Sequence, residues 1–222
     1  MEDQSAAATD VSGLPKLFVL GDSISMHYGP FLEAQLKGFW FYERKVAPIG
    51  AETADLDEGK GANGGDSSMV LAYLERRLQE PAFRPDLLLL NCGLHDVKTS
   101  PETGTRQIPE AAYRANLTRI VDLLGKRGIR MIWVRTTHCD DTIHNTISSG
   151  FRRYIADVEA YNGIADEVMT AAGIATIDLH RFTRNLGEDG DLFCDHVHFQ
   201  PAVCAQQAAF VAGAIVGMSR KG

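Results

Sequence analysis

An α/β architecture, with five parallel strands and helices on both faces, is what this chain of 222 residues predicts. Three observations carry that expectation. Short apolar runs such as Leu17-Phe18-Val19-Leu20 and Leu87-Leu88-Leu89-Leu90 lack polar alternation, which suits strands buried on both faces. These runs alternate with segments of helical spacing, the pattern of a parallel sheet wound with helices. Composition is that of an ordinary globular domain, at 45% hydrophobic, 8% aromatic and 23% charged, and the length suits one domain with a sizeable core.

The first strand, 16–20, stops at Gly21 and hands over to a helix that the spacing places over about 27–36. Residues 39–49, with Trp, Phe, Tyr and Val, suit a second strand. The stretch 50–66, rich in Gly, Asp and Glu, reads as a loop. Its Gly59-x-Gly61-x-x-Gly64 matches the dinucleotide fingerprint only formally, because no strand precedes it. A helix over 67–79, capped by Asp66 or Ser67, sets Met69, Val70, Tyr73, Leu74 and Leu78 on one face and ends before Pro81 and Pro85. The third strand, 87–90, leads into 91–96.

A loop over 97–109 is long enough to roof a site. A helix over 110–126 follows, then a strand over 129–135 and a second polar loop over 136–150. A helix over 151–172, a short strand over 174–179, a loop over 181–192 and a helix over about 202–218 complete the chain. The expected strand order is 2-1-3-4-5, the three-layer flavodoxin-like arrangement. Residues 1–14, acidic and alanine-rich, read as a flexible leader before a single domain over 15–222.

In such sheets ligands bind outside the carboxyl ends of the strands. Asp22-Ser23, at the break after the first strand, lies at that edge, beside helix-start N–H groups that suit an anion. A Ser/Asp pair there is commonly a helix cap. It is also what a nucleophilic serine needs, with half of an oxyanion hole attached. Near the other end, Asp195-His196-Val197-His198 places an Asp three residues before a His, so the Asp can orient an imidazole whose other nitrogen faces the serine.

Gly21-Asp22-Ser23 and Asp195-x-x-His198 resemble the first and last blocks of the SGNH, or GDSL, hydrolases. Gly65, in Asn63-Gly64-Gly65-Asp66-Ser67, resembles the second-block glycine, and Gly93-Leu94-His95-Asp96 resembles the third block, Gly-x-Asn-Asp, with His95 in place of the asparagine. The four blocks fall in the family's order over 21–198. The resemblance implies a serine esterase with the same fold, with Ser23 as nucleophile, His198 as base and Asp195 as its orienting partner. It implies an oxyanion hole from the Ser23 and Gly65 N–H groups and residue 95. Small acyl esters, including acetyl groups on carbohydrates, are the substrates expected, with no cofactor. His95 can donate through its one neutral N–H, and an imidazole ordinarily titrates near neutrality.

Other readings compete. A binding module on the same fold, its hydrolytic set degraded at position 95, is one. A metallohydrolase using His138, Asp140, Asp141 and His144 with the 195–198 block is another, although those spacings match no zinc motif. No metal is therefore expected. His196 is expected to turn away from the site, and Cys92 and Cys194 to be small buried residues. The net charge, 22 − 29 = −7, disfavours nucleic acid and anionic membranes as partners, and no apolar run approaches the length of a membrane span. A small-molecule ester is the expected partner. The four cysteines show no framework spacing, so reduced thiols in a cytoplasmic protein are expected.

Overall fold

The computed structural model describes residues 13–47, 56–148 and 150–219. Its centre is β1 (Lys16–Leu20), in which Leu17 to Leu20 are almost wholly buried. It is flanked on one side by β2 (Phe41–Arg44) and on the other by β3 (Leu87–Leu90), β4 (Arg130–Val134) and β5 (Ala175–Ile177), all parallel, in the order 2-1-3-4-5. Every β3 residue is buried, which is why the run of four leucines shows no alternation.

Right-handed crossovers fix the layers. The chain leaves β1 in one direction to reach β2 and in the other to reach β3, β4 and β5, so the first helix lies on the opposite face from those that follow. The two packed groups of helices match. α1 (Ser23–Leu36) packs with α8 (Pro201–Ser219), which also packs on α6 (Leu179–Arg184). α2 (Ser67–Arg77), α3 (Glu110–Lys126) and α5 (Ile155–Ala171) form the other layer. The reversal of direction between β1 and β3 makes the cleft where such sheets hold ligands.

Several boundaries differ from the sequence reading. β2 is limited to Phe41–Arg44: residues 39–40 and 45–47 of the expected 39–49 strand lie outside it, while 48–49, the start of the expected 50–66 loop (50–55) and most of the expected leader lie outside the described residues. The helix after β1 starts at Ser23, because the Asp22 side chain accepts the Ile24 N–H and caps it. The 136–150 loop contains α4 (Asp141–Ile147), capped by Asp140, and the 181–192 stretch contains the end of α6 and the short α7 (Asp189–Leu192).

α5 begins at Ile155 because Arg152 bridges to Thr99 instead of winding into helix. Met69 is exposed rather than part of the buried α2 face. Residues 201–218 are, against the sequence reading, long and apolar enough to cross a membrane by composition. In this fold Val203, Ala208, Val211 and Ile215 of that helix are buried in the core.

Candidate active site

Ser23 serves both readings of its motif at once. Asp22 is the cap, and Ser23 is the first residue of α1, delivered to the carboxyl edge as β1 ends. Gly21 permits this tight turn, since a Cβ there would lie 2.9 Å from the Ser25 side chain. The Ser23 Oγ lies 2.8 Å from His198 Nε2, and His198 Nδ1 lies 2.7 Å from Asp195 Oδ2.

The turn that presents His198 is built by the same aspartate. Asp195 Oδ1 accepts the N–H groups of Val197 at 2.6 Å and His198 at 2.7 Å, while the Cys194 N–H donates to the His198 carbonyl. Phe193 and Phe199 stack across its base. Burial alone would raise the Asp195 carboxyl. The hydrogen bonds from the His198 ring and from the two backbone N–H groups outweigh it and hold the acid well below the usual carboxylate range. An ionised Asp195 accepts a hydrogen bond from His198 Nδ1–H and keeps the ring proton on that nitrogen, so Nε2 presents a lone pair to the Ser23 hydroxyl.

The two middle blocks meet beside this chain. The Gly64 N–H donates to the Gly21 carbonyl at 2.8 Å, tying the second block to the serine turn. Gly65 takes a φ of 74°, which favours glycine, and its N–H donates to Asn63 Oδ1 at 2.9 Å. That donor is therefore already engaged, whereas the Ser23 N–H, in the first turn of α1, has no acceptor within its helix. Gly93 passes so close to Thr136 that a Cβ would collide with the Thr136 hydroxyl. His95 follows, almost wholly buried, with Nε2 3.4 Å from Asn63 Nδ2. Burial, then the nearby Lys98 and Arg153 charges, pull its imidazole down to about 3. The expectation that residue 95 titrates near neutrality is overturned for that reason.

Two features escaped the sequence. His27 packs its ring against His198, with centroids 4.7 Å apart. Its position four residues after Ser23, on the same helix face, was the available signal. Arg153 is only 1% exposed. Its Nε donates to the Leu94 carbonyl at 2.9 Å and its Nη2 to Asp57 Oδ1 at 3.0 Å, and nothing in Phe151-Arg152-Arg153-Tyr154 announces a buried cation.

The remaining candidates separate. His138 Nε2 pairs with Asp189 Oδ1, and His144 Nδ1 pairs with His196 Nδ1, so His196 faces α4 rather than Ser23. Among the described residues no group of three or more His, Cys, Asp or Glu side chains is placed to hold a metal. Cys92 is buried as expected. Cys194 is not: its turn carries it to the surface, and it is exposed.

Residues 19–205 match the family profile described as GDSL-like lipase/acylhydrolase. Among solved structures, the lipase/acylhydrolase of Enterococcus faecalis is similar at 18% identity and a TM-score of 0.67, over 92% of this chain and 97% of that one. A GDSL-like lipase of Bacteroides thetaiotaomicron aligns at 17% identity and 0.65, over 96% and 94%. A psychrotrophic esterase of Pseudoalteromonas, in a structure inhibited by monoethylphosphonate, aligns at 13% and 0.62, over 92% and 98%. At these identities the structures establish the shared fold. No curated protein matches the sequence.

Proposed function

The chain belongs to the GDSL-like lipase/acylhydrolase family and is a hydrolase of ester bonds, and from that premise we propose that it is a serine esterase cleaving small acyl esters through an acyl-enzyme on Ser23. The observation that carries this reading is the unbroken path from Ser23 Oγ through His198 to Asp195, at 2.8 and 2.7 Å. The Ser23 oxygen attacks the ester carbonyl carbon while its proton passes to His198 Nε2. The tetrahedral intermediate collapses as His198 returns that proton to the leaving alcohol. Water, deprotonated by the same nitrogen, then releases the acid and regenerates the serine.

Developing negative charge on the carbonyl oxygen would be met by the Ser23 N–H and the His95 ring, with Gly65 contributing if its N–H turns from Asn63. A phosphonate ester mimics that intermediate, and the Pseudoalteromonas neighbour is described as inhibited by one. Treating this chain with a nitrophenyl ester of a small alkyl phosphonate is expected to form one Ser23 Oγ–P bond as nitrophenolate leaves, and peptide mass spectrometry should place that phosphonyl group on Ser23. Labelling elsewhere, with hydrolysis lost, would refute the assignment.

Acetyl-type substrates are favoured because the side chains gathered at this edge, His27, Asn63, His95 and His198, are polar. α4 adds exposed Ile143 and Ile147, but it spans only seven residues and forms no extended apolar sheath. We expect kcat/KM on nitrophenyl esters to fall as the chain lengthens beyond butyryl, and acetylated sugars belong in the same screen. A maximum at decanoyl or longer would contradict the proposal.

A further inference from the structure

We propose that Asn63 is a positioning residue for the oxyanion donor: its carboxamide holds the His95 ring as the tautomer protonated on Nδ1. This rests on the esterase reading and on the place of His95 in it, and extends both to a residue outside the four family blocks' reacting groups.

Asn63 is 1% exposed, and its orientation is determined by two neighbours that a flipped amide could not satisfy. The Gly65 N–H needs an oxygen and finds Oδ1 at 2.9 Å; the Leu56 carbonyl needs an N–H and finds Nδ2 at 2.8 Å. Exchanging oxygen and nitrogen would set donor against donor at Gly65 and acceptor against acceptor at Leu56, each a buried mismatch. The atom facing His95 Nε2 at 3.4 Å is therefore the amide nitrogen, whose second N–H is available to donate.

An imidazole that receives a hydrogen bond on Nε2 carries its single proton on Nδ1, because the partner of one ring nitrogen decides the state of the other. Among the described residues Nδ1 has no hydrogen-bond partner, which leaves it as the donor that can turn to substrate. The ring does not escape the choice by taking two protons. Burial opposes this first, and among the described residues the charges of Lys98, Arg153 and His198 also oppose a second proton, against Asp57, which favours one. The Leu94 carbonyl, held by Arg153 Nε, fixes the backbone immediately before the ring. The family's asparagine needs no such help, since an amide always presents its N–H groups. A histidine in that place must be told which nitrogen to protonate.

Nitrogen-15 NMR of the intact protein, with imidazole nitrogens resolved by two-bond couplings to ring protons, reads the tautomer directly. His95 is expected to show a protonated Nδ1 and an unprotonated Nε2. A protonated Nε2 in an active enzyme would overturn the inference and leave the esterase reading standing. An enzyme inactive on every ester would sink the esterase reading, while the same spectrum still decides the tautomer.

Asn63→Asp supplies the functional arm. Its carboxylate still accepts from Gly65 but faces Nε2 with an acceptor, which inverts the tautomer. A loss in kcat of ~10- to 100-fold with little change in KM is expected, near the value of one oxyanion donor. In a His95→Asn background, where residue 95 has no tautomer to choose, the same substitution should change kcat less than about threefold. Equal losses in both backgrounds would mean that Asn63 only supports the loop, and would overturn the proposal. Asn63→Ala, which removes both partners, should leave the His95 spectrum as a tautomer mixture; an unchanged spectrum would count against it.

Discussion

Ser23→Ala should lower kcat by at least about 10⁴-fold, and His198→Ala by a similar factor, with the double variant scarcely worse than either. The groups act as a unit: without the hydroxyl there is nothing for His198 to deprotonate, and without the imidazole the hydroxyl is a poor nucleophile at neutral pH. Neither change threatens the fold. The side-chain hydrogen bond of Ser23 is to His198, and α1 is capped by Asp22, not by the serine. Steady-state rates on a nitrophenyl acetate, with circular dichroism to confirm folding, measure both effects. A Ser23→Ala variant retaining more than a small percentage of the wild-type rate would show that another group attacks the ester.

His95→Ala is the second large effect expected, a fall in kcat of about 10²-fold with KM little altered, because the donor bond strengthens as charge develops on the oxygen. With the Gly65 N–H engaged by Asn63, the side chain at 95 bears more of that charge than in a hole with two free backbone donors. His95→Asn should retain much more activity than His95→Ala. The pH profile gives an independent check. His95, pulled down to about 3 by burial and then by the Lys98 and Arg153 charges, stays neutral through the mildly acidic range. An acid limb of kcat/KM above about pH 5 therefore does not come from His95. Wild type and His95→Asn should give profiles of the same shape from about pH 5 to 9, differing in height alone. A wild-type kcat in His95→Ala would make the ring a bystander.

The parts of this protein that were legible in its sequence are those whose signal is local. Leu87 to Leu90 had to be a buried strand, and Asp195-x-x-His198 carries its own turn chemistry, because the aspartate folds the backbone that presents the histidine. What was illegible depends on distant partners. α4 reads as polar loop in Asp-Thr-Ile-His-Asn-Thr-Ile; it is anchored by His144, which is buried against His196. The ring at 95 looks titratable until its burial, and then the Lys98 and Arg153 charges, are seen, and no periodicity foretells an arginine in the interior. The Gly65 N–H looks free until Asn63, two residues earlier, is found turned onto it.

The helix layer made by α1 and α8 bears on the reaction as well. Ser23 opens α1, and His198 lies just before Pro201, where α8 begins, and α8 packs against α1. The two halves of the reacting pair are thus mounted on the two arms of a caliper, and the gap between its jaws is set by how closely the arms lie together. One arm continues directly from β1, while the other is held by the burial of Val203, Ala208, Val211 and Ile215 against the core. Heat or mild denaturant that loosens α8 opens the jaws while the five strands remain paired, so catalysis should fail before the fold does. Val211→Ala, trimming a buried residue of α8, should widen the interval between the temperature of half-inactivation and that of global melting. Coincident shifts of the two temperatures would show that arm and sheet unfold as one body.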